Sequence, residues 1–435
     1  TSYTDFVTKY RDRRQMVYVG ANDGMIHAFN AGFWDPTSKA FVTSPNSEVA
    51  HPLGSELWSY VPMNLLPHLQ WLKQADYPHV YYMDGVGITQ DVNIFPTTGD
   101  PTHPNGWGTI LVMGMRFGGG AMSLDTDGDS VDDQTTGSGY VIMDFTDPEQ
   151  PPVLLAEITA PEFGYTTSVP TIVKSRVPNV SGLDEDWDSP VTNEWTLVFG
   201  SGPHGASALS SGLSDQNARI IAVDLVEVYK NHTTGAAVDI YRAGFTPTDS
   251  LSETNSFVGD ITATDWNRDL VDDAIYFGTA SGNNTTATGK LMRLPLTSPF
   301  TAATLVDTGK PVISAPLTST DSYNNRWVMA GTGRLFSRAD NENIEQQYSI
   351  GVKEPKESDN TYDYDDAVSF SDLIDTTDVR VFADSSLELT DGSAFILSGN
   401  TIATFEDMQI GMKSEKGWKV KFEHDSSSPS GRSTS

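Results

Sequence analysis

The residues best suited to chemistry are the side-chain oxygens of two nine-residue runs. In Asp265-Trp-Asn267-Arg-Asp269-Leu-Val271-Asp272-Asp273, oxygen-bearing side chains stand at positions 1, 3, 5 and 9. Alternate residues of a tightly wrapped loop turn inward, so Asp265, Asn267, Asp269 and Asp273 can converge. Val271, at position 7, can add its backbone carbonyl. Such a set suits Ca²⁺, which takes six to eight hard oxygens at about 2.3–2.6 Å. The run is not a full EF-hand. Leu270 stands at position 6 where Gly is expected, Tyr276 at position 12 where Glu is expected, and the following Ala-Ile-Tyr-Phe-Gly reads as a strand. We read a short calcium loop feeding a strand; the alternative is a solvated acidic turn. A second run, Asp125-Thr-Asp127-Gly-Asp129-Ser-Val131-Asp132-Asp133, repeats the phase. Asp125, Asp127, Asp129 and Asp133 would supply side chains there, and Val131 its carbonyl. Mg²⁺ suits either loop less well, because it demands a smaller octahedral shell and keeps several waters.

Other chemistries lack their residues. The eight histidines form no H-E-x-x-H and no close metal pair. No G-x-S-x-G elbow and no P-loop occurs. Gly118-Gly119-Gly120 lacks the helix and acidic partner of a dinucleotide site and reads as a turn. Cysteine is absent, which removes disulfides, thiolate nucleophiles and Cys-type metal centres. Asp plus Glu number 58 against 27 Lys plus Arg, a net charge of −31. That surface repels phosphate backbones and anionic headgroups, so neither nucleic acid nor a membrane surface is an expected partner. No apolar stretch approaches the ~18 residues of a membrane span, so direct membrane insertion is not expected either. Thr1 to Arg14 are polar and charged, unlike a signal peptide, and the chain reads as a mature portion or fragment of something longer.

The elements that must carry these loops are mainly β. The chain has 435 residues, with 37 Gly and 24 Pro punctuating short β-rich runs. These runs are Gln15–Gly20, Thr109–Met115, Gly139–Phe145, Val153–Ile158, Thr196–Gly200, Arg219–Leu225, Asp273–Gly278, Leu291–Leu296 and Arg326–Gly331. One short helix is expected near 62–74, with Leu65, Leu66, Leu69 and Leu72 on one face. A loose repeat joins a β run ending in Gly to a returning amphipathic run. Its copies are Val17–Gly20 with Gly24–Phe29, Ile110–Gly114 with Gly119–Leu124, Leu197–Gly200 with Ile220–Asp224, and Ile275–Gly278 with Gly289–Leu294. Repeated hairpins are what propeller blades need, since no blade buries both faces alone; a β-sandwich is the alternative. Ser181–Val191 and Lys356–Asp366 read as acidic exposed loops.

At this point the residues become recognisable. Arg14-Gln-Met-Val-Tyr-Val-Gly-Ala-Asn22-Asp-Gly-Met-Ile-His-Ala-Phe29 resembles the signature of the C-terminal propeller domain of the type IV pilus tip-associated adhesin and biogenesis family, PilY. The order continues through Gly54–Pro62, His79–Gly85, Trp107–Gly114 with Gly118–Gly120, Asp144–Pro148, Val198–Gly202, Gly331–Gly333 and Tyr348–Gly351. The resemblance covers roughly residues 14 to 355. It implies an all-β, modified and seven-bladed propeller over 14–424. This chain departs from the family after Gly417–Phe422, where the expected closing strands do not follow, so the last blade reads as incomplete; the Ser-rich run 425–435 reads as a flexible tail. The resemblance also implies a surface calcium loop of the form Asp-x-Asn/Asp-x-Asp-x-Val-x-Asp, onto which Asp265, Asn267, Asp269, Val271 and Asp273 fall. The 125–133 loop looks like an insertion, for which the resemblance does not vouch.

The function this implies is that of a non-enzymatic, calcium-binding cell-surface module at a pilus tip. Its partners would be minor pilins and host or surface ligands, and its roles pilus assembly, retraction control, twitching motility and adhesion. Two rivals stand beside it. Asp23–Ala31 also looks like a blade repeat of a quinoprotein dehydrogenase using pyrroloquinoline quinone, although the recurrent Trp-docking motif and catalytic Asp of that class are missing. A purely structural pilus or fibre subunit without a regulatory metal is the other.

Overall fold

In a computed structural model, the described residues are 2–43, 51–175, 194–235, 251, 253–282, 287–297, 300–357, 359 and 361–422. The acidic loop expected over Ser181–Val191 and the tail over 425–435 lie outside them. The chain is mostly β, 40% strand and 15% helix, and no closed sheet is found among the described residues. It divides into two compact units, Thr1–Gly205 with Arg219–Pro247, and Ala206–Ala218 with Thr248–Ser435.

The first unit holds three sheets. β1 (Gln15–Gly20), β2 (Ile26–Asp35), β3 (Ala40–Val42) and β4 (Glu56–Tyr60) form one, with β2 pairing the other three. β5 (Gly87–Asn93), β6 (Trp107–Gly114), β9 (Gly139–Asp144) and β10 (Val153–Thr159) form an antiparallel sheet in the order β10-β9-β6-β5. Between β6 and β9 the chain makes a separate hairpin, β7 (Met122–Leu124) with β8 (Gln134–Thr136). β11 (Thr171–Ser175), β12 (Glu194–Gly200) and β13 (Ile220–Asp224) complete the unit. Alternation marks the half-buried strands, as in β2, where Ile26 and Ala28 face inward. β9 is buried on both faces, so Tyr-Val-Ile-Met runs without alternation. Their side chains feed two clusters, one around Ile110, Tyr140, Leu197 and Phe199, the other around Leu111, Met113, Val141 and Met143.

The second unit holds the four-stranded meander β14 (Ser256–Thr264), β15 (Ala274–Ser281), β16 (Lys290–Pro295) and β17 (Ala303–Asp307). Beside it in sequence come β18 (Leu317–Thr320), β19 (Arg326–Gly331) and β20 (Tyr348–Lys353). β21 (Ile374–Asp375), the hairpin β22 (Val379–Val381) and β23 (Leu387–Leu389), and the hairpin β24 (Phe395–Leu397) and β25 (Asn400–Ile402) follow. β26 (Gly417–Lys421) then returns to pair with β20, giving the order β18-β19-β20-β26-β21. Tyr276, Leu291, Val306, Val328, Ile350 and Val352 lie in one core cluster.

All nine expected strands form, with ends shifted by at most three residues. Three of the four repeat copies are true antiparallel hairpins, β1–β2, β12–β13 and β15–β16. The copy at Ile110–Leu124 is not. β6 pairs with β5 and β9, while Met122–Leu124 pairs with Gln134–Thr136. The segment expected near 62–74 is a 3₁₀ helix, Met63–Lys73, with Pro67 inside it. Three residues per turn stack Leu65 over His68, both buried, and leave Leu66 and Leu72 exposed, so the four leucines do not share a face. Five α-helices among the described residues had no expectation: the short Ala208–Ser211, Arg338–Glu342 and Phe405–Gly411, and the longer Ser2–Tyr10 and Leu225–Thr234. The latter is started by Asp224, whose side chain accepts from the N–H of Val226 and Glu227.

Candidate metal loops

Both acidic runs are the tips of β-hairpins. Residues 265–273 join β14 to β15, and residues 125–133 join β7 to β8. Each loop closes by the same bond: the N–H of Asp273 donates to the Thr264 carbonyl at 2.8 Å, and that of Asp133 to the Leu124 carbonyl at 2.9 Å.

Inside, the two loops are wound alike. Asp265 Oδ1 accepts from the N–H of Arg268 at 2.6 Å and its Oδ2 from Leu270 at 2.7 Å. Asp125 does the same with Gly128 at 2.6 Å and Ser130 at 2.7 Å. At position 3, Asn267 Oδ1 accepts from Asp269 N–H at 2.8 Å, and Asp127 from Asp129 at 3.2 Å. At position 5, Asp269 accepts from Val271 N–H at 3.0 Å, and Asp129 from Val131 at 2.8 Å. Position 9 reaches back to position 2: Asp273 Oδ2 accepts from Trp266 N–H at 2.8 Å, and Asp133 Oδ1 from Thr126 N–H at 3.2 Å. The wrap needs positive φ at positions 4 and 6. These are Arg268 (62°) and Leu270 (71°) in one loop, and Gly128 (83°) and Ser130 (69°) in the other. Leu270 therefore adopts the turn that a glycine would favour, with its side chain 77% exposed.

Three of the expected donors, Asp125, Asp127 and Asp129, are gathered in the second loop; among the described residues Asp265, Asp269 and Asp273 do not form such a close group. The carboxylate oxygens of Asp125, Asp127 and Asp129 lie within 4.8 Å of one another. Hydrogen bonds from the Gly128 and Ser130 N–H groups hold the Asp125 carboxyl below its usual range, so it is an anion at neutral pH. Several side-chain oxygens on a tight nine-residue wrap match the donor chemistry that Ca²⁺ requires, and the residues fit that ion. The 125–133 loop is exposed throughout, whereas Asp265, Trp266 and residues 271–273 of the other are half-buried.

What the spacing did not reveal is the shell behind Asp265–Asp273. The Trp266 indole N–H donates to the Tyr276 hydroxyl at 3.2 Å, and the Arg326 guanidinium lies 5.2 Å from the Trp266 ring centroid. Tyr276 is fully buried, and burial drives its hydroxyl pKa well above the usual tyrosine range. Tyr362 and Tyr364, inside the run read as an acidic loop, complete the group. Their Tyr-x-Tyr spacing in an acidic segment was the signal available in the sequence.

No family model matches the chain. A "Type IV pilus biogenesis factor PilY1 homolog" of Xylella fastidiosa is 24% identical over 365 residues, covering 81% of this chain and 22% of the relative. "Type IV pilus biogenesis factor PilY1" of Pseudomonas aeruginosa is 22% identical over 357 residues, covering 78% of this chain and 24% of the relative. The chain therefore spans less than a quarter of the length of these curated relatives. Among solved structures, the Pseudomonas aeruginosa PilY1 C-terminal domain matches with a TM-score of 0.57 and 18% identity, covering 98% of this chain and 74% of that one.

Proposed function

We propose that this chain, which its sequence relatives and its fold neighbour support as a C-terminal domain of the PilY family, is a calcium-binding, non-enzymatic module of a type IV pilus protein. The observation that carries the calcium reading is the winding of 265–273: Asp265, Asn267, Asp269 and Asp273 each accept backbone N–H bonds from within the loop, which holds all four on one tight wrap. When bound, the cation supplies charge neutralisation and a fixed loop geometry. The matching wrap at 125–133 supports a second site on Asp125, Asp127, Asp129, the Val131 carbonyl and Asp133.

The blade-like meanders β5-β6-β9-β10 and β14-β15-β16-β17 support a modified propeller as the arrangement of the sheets. Placement at the pilus tip on the cell surface, minor pilins as partners, and roles in adhesion, assembly and twitching motility belong to the same reading. They rest on the names of the pilus relatives and on the family motifs. The test is calorimetric Ca²⁺ titration of the chain and of Asp269→Ala and Asp129→Ala. The expected result is two sites in the parent chain and one in each variant; unchanged stoichiometry in Asp269→Ala would remove the 265–273 site.

A further inference from the structure

The two loops share a wrap but differ in what stands behind position 2. In 125–133 that residue is Thr126, whose hydroxyl bonds Asp133 on an exposed hairpin tip. In 265–273 it is Trp266. Its backbone N–H is held by the Asp273 carboxylate, its indole N–H by Tyr276, and its ring meets the Tyr276 ring edge-on at 5.9 Å and 81°. The Arg326 guanidinium stands 5.2 Å from the Trp266 ring centroid and 4.0 Å from that of Tyr362, and Arg326 Nη1 donates to the Tyr364 hydroxyl at 2.6 Å. One cation thus joins the metal loop to two tyrosines of the strap Tyr362–Asp366. The strap is held from below by buried Arg293, which donates to the carbonyls of Asp363, Tyr364 and Asp366.

We propose that Trp266 and Arg326 form a relay through which metal occupancy of the 265–273 loop sets the order of the surface strap Tyr362–Asp366. The proposal rests on the calcium reading of that loop. With the carboxylates neutralised, Asp273 is fixed and holds the Trp266 backbone in one place. The indole then presents one face to Arg326, and the guanidinium is pre-positioned to stack on Tyr362 and bond Tyr364. Without the cation, mutual repulsion of the carboxylates loosens Asp273, and Arg326 loses one of its two aromatic surfaces. Coupling of this kind is reciprocal, so a strap held in place also raises the affinity of the loop. The strap carries Asp363, Asp365 and Asp366, so its ordering alters an acidic part of the surface.

The experiment is amide hydrogen exchange of the whole chain with Ca²⁺ and with chelator, read on peptides containing Tyr362–Asp366, beside calorimetric titration of Ca²⁺. Exchange in the strap is expected to slow at least about fivefold on Ca²⁺ addition, the lower end of ordinary allosteric coupling. Arg326→Gln should abolish that response while Ca²⁺ still binds within about tenfold of the parent affinity. Tyr362→Leu and Tyr364→Phe, which leave the guanidinium in place, should each weaken it and keep the test alive if Arg326→Gln fails to fold. A parent chain that binds Ca²⁺ with no change in strap exchange overturns the relay and leaves the calcium reading standing, as does a full response in both tyrosine variants. A parent chain that binds no Ca²⁺ at this loop overturns the calcium reading itself and the relay with it.

Discussion

Replacement of Arg293 by Met is the perturbation with the largest expected consequence. Arg293 lies on β16 and is fully buried, as is the side chain of its partner Glu354 at 2.9 Å. It also donates to the three strap carbonyls of Asp363, Tyr364 and Asp366. Removing one partner of a buried ion pair typically costs about 3–5 kcal/mol, because the survivor stays desolvated and uncompensated. The strap carbonyls can recover water by opening outward, so we take about 4 kcal/mol for Arg293→Met. The unit that contains it has about 200 residues. At about 2–4 °C per kcal/mol for that size, its melting transition should fall by about 8–16 °C.

The pH dependence of the variant follows from Glu354. Burial raises its carboxyl pKa, and the Arg293 charge opposes the rise. Without Arg293 the folded-state pKa climbs further above the unfolded value. A group raised in this way favours the fold below its unfolded pKa and loses that benefit as pH rises through the folded pKa. The deficit of Arg293→Met should therefore shrink on acidification towards pH 4–5 and grow towards neutrality. The double variant Arg293→Met with Glu354→Leu should recover most of the loss, since an apolar pair can replace a buried ion pair at little cost. Scanning calorimetry across pH measures all of this. A single variant that melts within about 3 °C of the parent, or a double variant as unstable as the single, would refute the reasoning.

Other consequences are smaller in scope. At a Ca²⁺ concentration one hundred times the dissociation constant of the 265–273 loop, binding there to the folded state alone should add about 2.7 kcal/mol, seen as a rise of about 5–11 °C in the melting temperature of the second unit that Asp269→Ala removes. His103 is buried between Asp100 (2.7 Å) and Asp144 (3.0 Å); burial lowers its pKa, but the hydrogen bonds and charges of the two carboxylates outweigh that and raise it. Its contribution is complete below about pH 6.5 and fades as pH rises through the higher folded value, so the first unit should lose stability on that alkaline side and His103→Gln should flatten the profile. A Cβ at Gly118 would sit 1.7 Å from the Tyr82 carbonyl oxygen, so Gly118→Ala should cost at least about 1–3 kcal/mol in urea unfolding. At Gly120 the nearest atom to such a Cβ is the Tyr165 hydroxyl at 3.5 Å, and Gly120→Ala should stay within about 0.5 kcal/mol.

The strands were legible because their signal is local. Val17-Tyr-Val-Gly20 carries its own alternation and its own stop, Ile275-Tyr-Phe-Gly278 is a continuous apolar run inside β15, and both form hairpins with the next run. The misplaced copy at Ile110–Leu124 shows the limit. Pairing is decided by long-range burial, and buried β6 pairs with β5 and with the fully buried β9 that follows the inserted hairpin. The leucines of Met63–Lys73 failed for a different reason: a 3.6-residue period was read where the chain winds with three, with Pro67 lacking the N–H that a continuous α-helix would use. Loop donors at positions 1, 3, 5, 7 and 9 were legible because a tight wrap makes spacing and geometry nearly the same thing. The shell was not, because Trp266, Arg326 and Tyr364 are brought together by three different segments of the chain.

That contrast separates the two loops as physical devices. Their internal bonds agree position by position, so local sequence accounts for the wrap in both. The environments differ. On the β7–β8 tip every residue of the loop is exposed, so an ion there would order the hairpin and little beyond it. On the β14–β15 connection, Asp273 is bonded through its own backbone to Leu296 and Thr264 and through its carboxylate to Trp266. Trp266 in turn packs against the cluster that contains Tyr276, Val328 and Ile350. A disturbance at Asp273 therefore meets a close-packed core, which shifts between discrete arrangements instead of absorbing strain gradually. Exchanging Trp266 for Thr would give the 265–273 loop the second residue of its twin, leaving the donors at positions 1, 3, 5, 7 and 9 untouched. Calcium should then still bind, its affinity lower only by the reciprocal coupling factor of about fivefold to tenfold, while strap protection is lost, an outcome that a merely solvated acidic turn would not produce.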